Sequence, residues 1–205
     1  AGRDCTVIDA GVRKPLDLKI HVPVESMREP DAHDVTDPAY GGMGTAGGGG
    51  DLVGPGLTTS PETATSRSIW PAIYPELLRL IREHRSTIVF VNSRRGAERL
   101  AVRLNDLAAE ESGTQDGPPE YIARAHHGSL AREERLIVED LLKSGELPCL
   151  VATSSLELGI DMGAVDLVIQ VESPKSVARG LQRIGRAGHE LHAVSKGRIF
   201  PKFRA

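Results

Sequence analysis

Four short apolar runs, Thr87-Ile-Val-Phe-Val91, Tyr121–Ala125, Pro148–Thr153 and Leu167-Val-Ile-Gln-Val171, alternate with stretches whose apolar residues recur at helical spacing. That alternation admits few architectures, because parallel strands joined by helices of ten or more residues form right-handed βαβ units. Pro148–Thr153 is apolar without a break, as in a strand covered on both faces. One helix is predicted from a Ser68 cap with Pro71 in its first turn and Ile73, Leu77, Leu80 and Ile81 on one face. A second, from Ala97, carries Leu100, Ala101, Leu104, Leu107 and Ala108, and a third begins near Ser129. Further upstream, Leu16, Leu18, Ile20, Val22 and Val24 alternate with Asp17, Lys19, His21 and Pro23, which predicts a half-buried strand. The expected fold is a single α/β domain with a doubly wound, mainly parallel sheet and helices on both faces.

With 205 residues and 40% hydrophobic content, one well-buried domain is the expectation. Residues 1–26 hold the first strand and the entry to the domain, 27–67 an acidic, Gly/Pro-rich segment expected to be a mobile loop, and 68–205 the remainder of the domain. No apolar stretch approaches the ~18 residues of a membrane span and no signal sequence opens the chain, which predicts a cytoplasmic protein, nucleoid-associated if it handles DNA. Cys5 and Cys149 are far apart and belong to no Cys-x-x-Cys pair, so reduced thiols are expected. Net charge is -3, but unevenly spread: residues 1–65 carry ten acidic and five basic side chains, whereas 179–205 carry seven basic ones against Glu190 alone. Local sign governs binding to a phosphate backbone, so the C-terminal stretch is a candidate basic track, with dispersed surface charge as the alternative.

Ligands of such sheets gather at the carboxyl ends of strands, and the chemically suggestive segments fall there: Asn92–Arg94, His126–Ser129 and Thr153–Asp161. Asn92, Ser93 and Arg94, with His127 and Gly128, form a candidate row for gripping phosphates without reading bases. The adjacent His126 and His127 of an extended segment point to opposite faces and have no carboxylate or thiol at ligand spacing, so no metal site is expected. Glu133, Glu134 and Asp140 read as solvated surface. Gln182-Arg-Ile-Gly-Arg-Ala-Gly-His189 sets Arg183 and Arg186 three apart beside glycines. Guanidinium pairs at that spacing can clamp the charge developed in phosphoryl transfer, although two arginines one helical turn apart also occur as a plain solvated face.

Taken in order, "TIVFVNSRRGAERLA", "AHHGSLAREER", "LVATSSLELGIDMGAVDLVIQ" and "QRIGRAGH" resemble motifs IV, V and VI of superfamily 2 helicases. The wording is similar to that of the large helicase-related (Lhr) family of bacterial DNA-repair helicases, over Ser68 to His189. The resemblance implies a second RecA-like domain. It also implies that Arg186 is an arginine finger assisted by Arg183, that Gln182 couples the ATP site to a partner domain, and that Gly159 and Asp161 approach the ribose and phosphates. Thr153 and Ser154, at a helix start, would hold a phosphate of the tracked strand. His189 departs from the arginine that many superfamily members place last in motif VI.

A whole motor of this kind carries a Gly-x-x-x-x-Gly-Lys-Ser/Thr loop and an Asp-Glu pair for magnesium in its first RecA-like domain. The loop is not found in these 205 residues. The expectation is therefore an excised half-motor, inactive alone, with ATP and Mg2+ held mainly by an N-terminal RecA-like domain of the same polypeptide. The implied partners are single-stranded DNA, tracked 3′ to 5′, and DNA or RNA:DNA duplexes. With aromatic content at 3%, base stacking would lie elsewhere. Two other readings remain at this point: a non-catalytic RecA-like nucleic-acid or protein-binding module, and a Rossmann-like enzyme, which would need a Gly-x-Gly-x-x-Gly that is not found.

Overall fold

A computed structural model describes residues 15–23, 69–113, 121–156, 165–188 and 194–201. In chain order the elements are β1 (Leu16–Ile20), α1 (Trp70–Arg82), β2 (Thr87–Phe90), α2 (Arg94–Ser112), β3 (Ala123–His126), α3 (Arg132–Ser144), β4 (Cys149–Ala152), a 3-10 turn (Ser154–Leu156), β5 (Leu167–Val171), α4 (Val177–Ile184) and β6 (Ser195–Phe200). The six strands form one sheet in the order β1-β6-β5-β2-β4-β3, parallel throughout.

Strand alternation divides the interior in two. Val89, Val91, Cys149, Val151, Leu167 and Ile169 face α1 and α2, while Ile88, Phe90, Leu150, Ala152 and Val168 face Val138 and Leu142 of α3 and Ile184 of α4. Both surfaces of the central strands are therefore buried, which is why the runs at 148–153 and 167–171 lack polar alternation. Burial also pushes the Cys149 thiol well above its ordinary value.

Element boundaries shift where packing does not mark them. Helix α2 starts at Arg94 rather than Ala97, because its first turn lies outside the core and is fixed by a cap: Ser93 Oγ accepts from Gly96 N at 3.0 Å. A Cβ on Gly96 would lie 2.8 Å from that oxygen, so the cap needs the glycine. Helix α3 starts at Arg132, three residues after Ser129, and β3 runs 123–126 rather than 121–125. Ser68, Cys5, Val24 and residues 27–67 lie outside the described residues.

Two expectations are corrected. The β1 strand exists, but at the sheet edge beyond β6, and its apolar side chains Leu16, Leu18 and Ile20 are exposed rather than half-buried. Period two reveals which residues share a face, not whether anything lies on that face. Among the described residues, the basic side chains of the 179–205 stretch do not form one continuous exposed track either. The stretch contains β6, in which Arg198 turns inward to bond the Asp17 carboxylate at 2.9 Å, and Arg183 is buried as well. That bond, chiefly, holds the Asp17 carboxyl below its usual range.

Candidate nucleotide and strand-binding site

The strand order of this sheet reverses between β2 and β5. These neighbours send the chain in opposite directions at their carboxyl ends, β2 to α2 on one face and β5 to α4 on the other. Asn92, just beyond β2, reaches the loop after β5: its Nδ2 donates to Glu172 Oε2 at 3.1 Å and to Ser173 O at 3.0 Å. With both side-chain amide hydrogens committed, Asn92 braces the two loops, and a phosphate contact through its side-chain amide would require breaking one of these bonds. The β5 loop it grips is strained, with Glu172 at φ 69° and Lys175 at φ 66°, a left-handed backbone that non-glycine residues seldom adopt.

Underneath that loop lies Gln170, 1% exposed within an otherwise apolar strand. Its Nε2 donates to Val171 O and Glu172 O, at 2.9 and 3.2 Å, and its Oε1 accepts from Arg183 Nη1. The Arg183 guanidinium sits 5.0 Å above the Phe90 ring and is itself 4% exposed. Arg183 is thus part of the interior. Arg186 emerges one turn later, partly exposed, where Gly188 N bonds Val165 O at 2.8 Å and Ala187 bridges Val165. Gln182 is exposed on α4. Helix α4 runs back from the carboxyl end of β5, so Arg186 stands near the entrance of that strand, beside the point where the chain arrives from the motif V segment. Gly159, Asp161 and His189 lie outside the described residues.

The other candidates gather at the carboxyl ends of β2, β4 and β3, in that spatial order. Ser93 gives its hydroxyl to the α2 cap, while Arg94, exposed, donates to Ser129 Oγ at 2.6 Å and so joins the first and last of the three loops. His126 and His127 do point to opposite faces, yet each meets a carboxylate the sequence spacing did not show: His126 Nε2 lies 2.8 Å from Glu139 Oε1 of α3, and His127 Nε2 3.0 Å from Glu98 Oε1 of α2. Both rings are almost fully buried, so His127 faces its own domain rather than solvent. Burial, above all, lowers the His126 pKa. Gly128 is exposed, Thr153 partly exposed and Ser154 exposed. Residues 154–156 form a 3-10 turn, the last described residues before 165, and Ser154 offers a hydroxyl and a backbone amide there.

Glu139 and Gln170 were missed from the sequence, and Ser155, a candidate helix cap by sequence, bonds the His126 ring instead. A glutamine inside an apolar strand was a usable signal, since a fully buried polar side chain must find partners. Glu139 follows Val138 on the buried side of α3, a phase that separates it from Glu133, Glu134 and Asp140, which are exposed as expected.

Residues 72–190 match the helicase conserved C-terminal domain. The chain belongs to that family. The Lhr helicase/probable uracil glycosylase of Mycolicibacterium smegmatis is 52% identical over 162 residues, covering 68% of this chain and 11% of that protein. The Lhr helicase/uracil glycosylase of Escherichia coli is 44% identical over 225 aligned positions, covering 98% of this chain and 13% of its own length. Among solved structures, Mycobacterium smegmatis helicase Lhr bound to ssDNA and AMP-PNP superposes with a TM-score of 0.72 at 47% identity, covering 94% of this chain and 20% of that one. The helicase domain thus sits in the Lhr group, as its motifs implied, and it has the RecA-like fold. It spans about a tenth to a fifth of the relatives' length.

Proposed function

We propose that this chain is the second RecA-like motor domain of an ATP-dependent superfamily 2 helicase that moves along single-stranded DNA, 3′ to 5′, and unwinds DNA or RNA:DNA duplexes in DNA repair. The observation that carries the reading is the asymmetry of the arginine pair. Arg183 is buried and bonded to Gln170 beside the Phe90 ring, whereas Arg186, two residues past the end of α4, is partly exposed. Arg186 is then the finger that meets the terminal phosphate of an ATP held mainly by an N-terminal RecA-like domain, with Gln182 on the exposed side of α4 coupling the two domains. The Lhr relative of similar fold is bound to ssDNA and AMP-PNP, which supports nucleotide and strand as the two ligands.

Gly159 and Asp161 are proposed to approach the ribose and phosphates. ATP and its Mg2+ are proposed to be held mainly by the N-terminal RecA-like domain. The bound nucleotide supplies the phosphoryl group; this domain's guanidinium neutralises charge that builds on it. On the strand side, Arg94, the backbone at Gly128, Thr153 and Ser154 are the groups placed to touch phosphates, whereas Asn92, Ser93 and His127 hold the loops that present them. Such contacts grip backbone without reading bases.

Arginine fingers contribute about 10³ to 10⁵ in rate. In the full-length helicase, Arg186→Ala is therefore expected to lower ssDNA-stimulated ATP hydrolysis by about that range while leaving ssDNA affinity and the melting temperature near wild type. Near-normal hydrolysis in this variant would remove the assignment.

A further inference from the structure

His126 is fully buried, bonded at both ring nitrogens, and unused by the chemistry above. Its Nε2 faces the Glu139 carboxylate of α3, an acceptor when ionised, so in the neutral ring the proton sits on Nε2 and Nδ1 is bare. Ser155 Oγ lies 3.0 Å from Nδ1 and 3.3 Å from the His126 carbonyl oxygen. One hydroxyl hydrogen serves one acceptor at a time, and the shorter approach goes to the ring. The same carbonyl accepts from Thr153 N at 3.2 Å.

Ser155 is the middle residue of the turn at 154–156, next to Ser154 and two residues past Thr153, the hydroxyl residues assigned above to the strand. Beyond it, Leu156 is buried among residues of α3, α4 and the sheet. The turn is therefore pinned by a backbone amide, by an apolar side chain and by one side-chain hydrogen bond, and that hydrogen bond leads through an imidazole to α3. Glu139 lies one residue beyond Val138 on a helix packed against the sheet, so the brace ends on a fixed element.

We propose that His126 is a positioning residue for DNA binding: held by Glu139, it fixes Ser155 and thereby sets Thr153 and Ser154 at the spacing a strand phosphate requires. The inference rests on the strand-binding reading of this loop. It concerns orientation rather than contact, since the ring cannot reach solvent.

The test is ssDNA-stimulated ATP hydrolysis by the full-length helicase, with oligothymidylate as the probe. Ser155→Ala removes the brace and leaves the His126–Glu139 pair in place. It is expected to raise the half-saturating oligothymidylate concentration about three- to tenfold, the effect of one hydrogen bond, with the rate at saturation unchanged. Ser155→Thr, which restores the hydroxyl, is expected to bring half-saturation back. A merely structural role would lower the saturated rate with the folded fraction and leave half-saturation alone; that result overturns the proposal, as does a Thr variant that behaves like Ala. Arg186→Ala runs alongside. Loss of ATP hydrolysis there, with half-saturation unmoved in Ser155→Ala, overturns the brace alone, whereas wild-type enzyme that does not respond to ssDNA overturns the strand-binding reading with it.

Discussion

Arg183 and Arg186 share a helix end yet differ in surroundings, and their substitutions should differ in kind. Arg183→Ala deprives Gln170 Oε1 of a charged donor and Phe90 of a stacked guanidinium in the interior between the sheet and α4. It is expected to cost about 2–4 kcal/mol in urea denaturation. A stability equal to wild type would show that Arg183 is not part of the interior. Buried His126 titrates in a predictable sense. Its folded pKa lies below the unfolded value of about 6.5, so the unfolded chain takes up a proton first as pH falls. The neutral ring's contribution is whole above that value and declines below it. Denaturation at pH 7.5 and 5.5 should show wild type losing more stability than His126→Asn, whose side chain does not titrate. Asp17 and Glu76, both lowered by arginine partners, act in a separate window, below their ordinary carboxylate values.

At the scale of elements, close approach and capping set what periodicity left open. Helix α4 comes so near β6 that a Cβ on Gly197 would lie 2.9 Å from Ile184 Cγ2. Gly197→Ala is therefore expected to destabilise by about 1–3 kcal/mol through overpacking, read as a lower denaturation midpoint with unchanged slope. An unaffected midpoint would mean that α4 lifts away freely. Strand β6 escaped the sequence reading because Ser195-Lys-Gly-Arg-Ile-Phe200 mixes charge with apolar residues and resembles surface. Its arginine became internal only once β1 supplied Asp17 from the opposite end of the chain. The ends of α2, α3 and β3 moved by two or three positions for a related reason, since turns outside the core leave no apolar period to count.

Across the whole molecule, the candidate ligands divide between two regions of one parallel sheet. The loops after β2, β4 and β3 lie side by side at the carboxyl edge, while α4 carries Arg186 back toward the entrance of β5. Such a separation allows a strand and a nucleotide to be held at once by a single rigid sheet. No helix among the described residues is long and apolar enough to cross a membrane. The parallel α/β class, the central strands and the core faces of α1 and α2 were legible from the sequence, because spacing along the chain directly encodes local geometry and which residues share a face; the helicase motifs were legible only through their resemblance to a known family. Tertiary structure alone decided that Arg183 turns inward while Arg186 does not, that Asn92 braces a strained loop, and that His126 finds Glu139 and Ser155. Those outcomes depend on side chains brought together from distant positions, whose mutual satisfaction under burial no local spacing records.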